Sequence, residues 1–231
     1  MKKLKKIKNI QKNDILSINL ENFKNSFLRE LPDEPDNKDF IKIVKDIEKI
    51  IRASLEYKIL IQYLRQELDL SKCSFFSNIN TNDPSFKKVK IEFHHYPFTL
   101  YDIVEIVLLK EVNENNHNII DTFQIANKVI KLHYQGKIGL VPLSKTVHEL
   151  AHAGKLFISL NQIFGRIDYF IKEYINYISD DHLQKLKTII ELSNNSEGEK
   201  ISKESLSIQI SKIIIEDREK PNKILLKLEK K

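Results

Sequence analysis

Cysteine is nearly absent, with Cys73 the single one among 231 residues. One thiol can form no intrachain disulfide and no thiolate cluster. This excludes disulfide-framed scaffolds and multi-cysteine zinc sites, and leaves His, Asp, Glu or Asn to hold any metal. No apolar run approaches the 18 or more residues that mark a membrane-spanning helix. The basic start MKKLKKIKNIQKN lacks the apolar stretch of a signal peptide, so the cytoplasm is the expected compartment and no membrane is expected as a partner. Internal repeats are also missing.

What is present describes a folded chain. Hydrophobic residues make up 41% and charged residues 30%, near globular averages, and the length allows one generous domain or one domain with appendages. The formal charge of +6 biases the chain toward polyanions. Basic charge is densest at Lys2, Lys3, Lys5, Lys6, Lys8 and Lys12, with no acidic residue before Asp14, which fits either a solvated end or an arm that contacts nucleic acid. The abundance of Lys, Ile and Asn matches an AT-rich coding genome such as those of many bacteriophages.

Periodicity divides the chain. Apolar residues from Phe40 to Leu64 recur at three- and four-residue intervals, predicting one long amphipathic helix over about 38–68, preceded by a shorter one around 19–28. The turn-rich stretch 71–84 leads to a boundary near residue 85. Val89 to His95 alternates apolar and polar residues, as a strand does. Thr99 with Asp102, and Asp121 with Gln124, resemble capping boxes for helices over about 100–112 and 122–135, the second closed by Gly136, with a polar loop at 113–118 between them. Residues 137–143 read as a second strand. Ser144 is then the expected N-cap of a short helix that Gly154 ends. A helix over about 161–178, another to Leu192 and a linker at 193–203 follow, and the last segment reads as a hairpin or as a helix and strand.

Four of the seven histidines fall into two tight groups, His94 with His95 and His148 with His152. The spacing of four on a helix puts His148 and His152 on one face, one turn apart, where two imidazoles can grip one ion. The tandem pair sits at a strand end, so its side chains leave on different sides: one can ligate, and the other can take a proton from water. His117 and His182 occupy polar positions and are expected to be solvated. Glu149 within HELAH also satisfies the zincin pattern, and a zinc metalloprotease with that glutamate as base is therefore an alternative.

IEFHHYP resembles the first strand of the HNH nucleases (His-Me finger), and IGLVPLSKTVHELAHAGK resembles their second strand and metal-binding helix. About thirty residues match closely within 85–160. The resemblance implies an α+β, mostly helical protein. Its ββα-metal core at 85–160 would carry a helical insertion at about 100–135, between an N-terminal helical region at 1–84 and a C-terminal helical region with a tail at 161–231. It implies His94, His148 and His152 as ligands of one divalent cation (zinc, magnesium, manganese or nickel) and His95 as general base for phosphodiester hydrolysis. Nucleic acid, above all double-stranded DNA, would be the partner, with a protein partner on the N-terminal helices a further option. Lys145, Lys155 and Arg166 flank the core as phosphate contacts. The family's middle Asn falls at Gly139, so its orienting role passes to the insertion, with His133 and Gln135 as candidates, or is lost in an inactive nucleic-acid-binding or assembly module.

Overall fold

The computed structural model describes residues 27–32, 38–76, 78–86, 88–115, 119–195, and 210, 213 and 214. The fold is α+β and mostly helical. The basic arm at 2–12, His117 and most of the C-terminal tail lie outside the described residues, as does the helix expected around 19–28 apart from its last two positions. Of those two, Leu28 belongs to a short strand, β1 (Leu28–Glu30).

The single helix expected over 38–68 is two, α1 (Lys38–Ala53) and α2 (Leu55–Gln66). Ser54 breaks them. Its backbone is extended at ψ 147°, and its side chain accepts from the amide of Tyr57, so it caps α2 rather than continuing α1. In α1, Phe40, Ile43, Val44, Ile47 and Ile51 form the buried stripe, at spacings of three and four. Each is worth roughly 1.5–3 kcal/mol in apolar burial.

Strand β2 (Ile91–His95) pairs antiparallel with β4 (Leu140–Ser144), His94 opposite Val141 and His95 opposite Leu140. Between them run α3 (Leu100–Asn115), β3 (Ile119–Asp121) and α4 (Thr122–Tyr134). The reciprocal capping bonds of Thr99 and Asp102 open α3, and the Asp121 carboxylate accepts from the amides of Phe123 and Gln124 to open α4. Gly136, at φ +66°, follows α4 in the left-handed conformation that Gly adopts without strain. Of the polar loop expected at 113–118, residues 113–115 belong to α3, and 116–118 lie outside the described residues. A strand no pattern announced, β3, pairs with β1.

Helix α5 (Lys145–His152) leaves β4 directly. Ser144 stands at its N-cap without a side-chain capping bond, contrary to expectation; its amide instead donates to the Cys73 thiol at 3.3 Å. The helix expected over 161–178 is interrupted. Phe164 exchanges two backbone hydrogen bonds with Leu140, and Gly165 turns at φ +114° before α6 (Ile167–Tyr174) begins. The next helix, α7 (Asp180–Asn195), takes in the first residues of the expected linker, Ser193 among them.

The β2–β4 pair is packed on both faces, and this positions the site. Val141 and Leu143, cross-strand partners of His94 and Glu92, pack with Val147 of α5, Cys73 and Ile158. Leu140, the partner of His95, packs instead with Leu60 and Leu64 of α2.

Candidate metal centre

Side chains alternate across a strand, so His94 and His95 leave β2 on opposite faces. His94 meets α5. There His148 and His152, one turn apart, bring their rings to 5.1 and 4.7 Å from that of His94, centre to centre. One ligand atom from each of the three histidines lies within 4.8 Å of the others. The Nε2 atoms of His148 and His152 are 3.1 Å apart. Two nitrogens bound to one tetrahedral cation at about 2.05 Å would stand about 3.3 Å apart, so the pair is already at ligand spacing.

Glu92, two residues before His94 on the same strand face, points at the cluster. Its Oε2 accepts from Nδ1 of His148 at 2.8 Å, while Lys90 holds the other oxygen at 2.8 Å. Lys90 first, and His148 after it, keep this carboxyl below the ordinary carboxylate range. The carboxylate can only accept, so the bond uses the hydrogen on Nδ1 and leaves Nε2 of His148 as the nitrogen for a cation, as outer-shell carboxylates arrange for metal-bound histidines. Alternation along β2 puts Glu92 on the strand face of His94, and the fold adds its bond to His148.

The donor set fits a divalent cation. Nδ1 of His94 is buried without a hydrogen-bond partner, a costly state that ligation would relieve. Burial, then the neighbouring His152 and His148, push His94 down to about 4; burial and His148 also lower His152. Both rings are therefore neutral at pH 7, the form that ligates. His152 is exposed, which leaves the cluster open to solvent on one side.

On the other strand face, His95 is buried between α2 and α4. Its ring stacks on Tyr57, and its Nε2 lies 3.0 Å from Nε2 of His133, whose Nδ1 bonds the Val129 carbonyl at 2.8 Å. Burial first, then His133 and Arg52, push His95 well below 6.5. Burial likewise takes His133 to about 4, against the pull of its bond to Val129. Of the two candidates in the insertion, His133 thus meets His95, whereas Gln135 is exposed just beyond α4. Gly139 has no room for a side chain: a Cβ there would fall on the Tyr96 carbonyl oxygen and meet Ile163.

The remaining candidates have other partners or face solvent. Lys145 and Lys155 are exposed, the first 3.8 Å from Glu149, whose side chain is 67% exposed. Arg166 is held by Asp168 through two hydrogen bonds and lies over the Tyr169 ring. His182, expected to be solvated, is largely covered, bonding Ser179 and standing 3.4 Å from Asp102. It is not part of the histidine cluster, in which His94, upstream of the HELAH pair, stands beside His148 and His152.

A family model described as bacteriophage G278-like virion protein matches residues 1–220. The chain belongs to this family. The phage origin expected from composition agrees with that membership. No match was found among curated proteins or among solved structures. Among the described residues of this G278-like protein, no helix is long and apolar enough to cross a membrane.

Proposed function

We propose that this phage protein is a divalent-metal-dependent phosphodiester hydrolase of the HNH type, carried by the virion and acting on nucleic acid, with double-stranded DNA the expected substrate. One observation carries the reading: His94, His148 and His152 converge from a strand and the helix that follows its hairpin partner, with Glu92 orienting His148 from behind. Three imidazoles would hold the cation, and a nitrogen-only donor set suits zinc or nickel better than magnesium. When bound, such a cation supplies Lewis-acid stabilisation of charge on the phosphate oxygens. His95 takes a proton from water; the water oxygen bonds to phosphorus as the bond to the leaving ester oxygen breaks, and solvent protonates the leaving oxygen. His95 then returns its proton to solvent.

The test is cleavage of supercoiled plasmid by the purified chain with zinc, nickel, manganese or magnesium in turn, beside casein. Relaxed or linear plasmid with at least one cation is expected, lost in His148→Ala as metal affinity weakens, and lost in His95→Ala with metal affinity retained. Casein cleavage abolished by Glu149→Ala would instead make the chain a protease. The burial of His95 favours a second reading, a metal-bearing module that binds nucleic acid or a virion partner without cutting. Zinc binding with intact plasmid under every cation would select it.

A further inference from the structure

We propose that His133 is a positioning residue that fixes the tautomer of His95, setting the free lone pair of that ring on Nδ1. The inference rests on the hydrolase reading and extends it into the inserted helices. The logic starts at the Val129 carbonyl, which can only accept. Nδ1 of His133, 2.8 Å away, must therefore carry the hydrogen. A neutral imidazole has one N–H, so Nε2 of His133 is an acceptor. Facing it at 3.0 Å is Nε2 of His95, which must then be the donor. One hydrogen per neutral ring leaves Nδ1 of His95 with the lone pair.

The pocket holds this chain of bonds in place. Tyr57 from α2 stacks on His95, its ring 12° from parallel, and stands edge-on to His133 at 5.4 Å. Val129 and His133 are one turn apart on α4, so the helix itself aims the acceptor nitrogen. The chain of bonds from Val129 through His133 ends at Nε2 of His95, and Nδ1 of that ring takes no part in it. A base whose second nitrogen is oriented by a third group is the general form of a positioned imidazole. Here that group comes from the insertion.

The experiment is long-range ¹⁵N–¹H spectroscopy of the imidazoles in the full chain loaded with zinc, with plasmid cleavage measured in parallel. Expected are His133 as the Nδ1–H tautomer and His95 as the Nε2–H tautomer. His133→Gln, whose side-chain oxygen can still accept, keeps the His95 tautomer. His133→Phe mixes it and lowers kcat by about 100-fold or more, the low end of what a general base contributes, with zinc affinity within about twofold of the wild type. His95 found as the Nδ1–H tautomer in the wild type, or unchanged in His133→Phe, overturns the proposal. Should His133→Phe not fold, the wild-type and His133→Gln spectra decide alone. A wild type that cuts plasmid but carries the wrong tautomer sinks this inference only; one with the expected tautomers that cuts nothing sinks the hydrolase reading, and the role given to Nδ1 with it.

Discussion

Replacing Glu92 by Ala should weaken zinc binding without removing any ligand. The carboxylate accepts from Nδ1 of His148 at 2.8 Å, and its loss frees that ring to rotate and to move its hydrogen to Nε2, the nitrogen turned toward the cluster. Loss of an outer-shell partner typically costs 10- to 100-fold in metal affinity, which corresponds to about 1.4–2.7 kcal/mol. Glu92→Gln, which keeps an accepting oxygen but no charge, should fall between Ala and the wild type. Lys90→Ala should change affinity little, because its side chain is 70% exposed and an exposed ion pair contributes about 1 kcal/mol or less. The assay is competition for zinc against a chromophoric chelator at pH 7.5, with circular dichroism confirming each fold. A double-mutant cycle isolates the mechanism: if Glu92 acts through His148, Glu92→Ala should have no further effect in a His148→Ala background. Equal losses in both backgrounds, or a Glu92→Ala affinity within twofold of the wild type, would refute the reasoning.

Gly139→Asn, which restores the residue type the HNH pattern carries there, should destabilise the fold by about 2–4 kcal/mol, from overpacking against the Tyr96 carbonyl and loss of the bond between the Tyr96 amide and the Gly139 carbonyl. Urea unfolding measures it, and a midpoint equal to that of the wild type would show that the hairpin has room. Acid should destabilise the protein through His133. Its folded value of about 4 lies below the ordinary 6.5, so between those values the unfolded chain binds more protons, and stability falls as pH drops through that window. The loss reaches about 3 kcal/mol by pH 4; unfolding curves at pH 7 and 4.5 should diverge less in His133→Gln than in the wild type.

The site was legible where its geometry is local. An interval of four on a helix fixes His148 and His152 on one face whatever surrounds them, and alternation fixes His94 and His95 on opposite faces. The caps at Thr99 and Asp121 were readable for the same reason, since donor and acceptor are at most three residues apart. Apolar spacing misled where two short elements both face the core. Ile59 and Ile61 carry the pattern of α1 past Ser54, whose side chain had already been committed to capping α2. Ile163 and Phe164 continue the stripe of α6 backward although Phe164 is extended against Leu140. Nothing in three residues of β1 or β3 marks a strand; their pairing across about 90 positions makes them one. Alternation puts Glu92 on the face of His94, but its bond to His148 was not legible, because that partner is 56 residues away and only the fold joins them.

The two faces of β2 bear on the choice between an active and an inactive protein. A buried imidazole pair stabilises a fold little: its hydrogen bond replaces bonds to water, and two apolar side chains of similar volume would do as well or better. Where packing alone matters, His95 and His133 are a poor solution, the more so with the Arg52 charge opposing protonation of both. Yet the pair is internally satisfied from Val129 through His133 to Nε2 of His95, and the insertion that supplies it is continuous with the hydrophobic core through Ile125, Val129 and Ile130. A local choice that runs against stability while every neighbour supports it is the pattern expected of a functional group. Replacing His95 and His133 together by Leu and Phe should therefore leave the protein as stable as the wild type in urea, or more so, while abolishing plasmid cleavage. A double variant that unfolds would show that the pair is there for structure and would remove this support for catalysis.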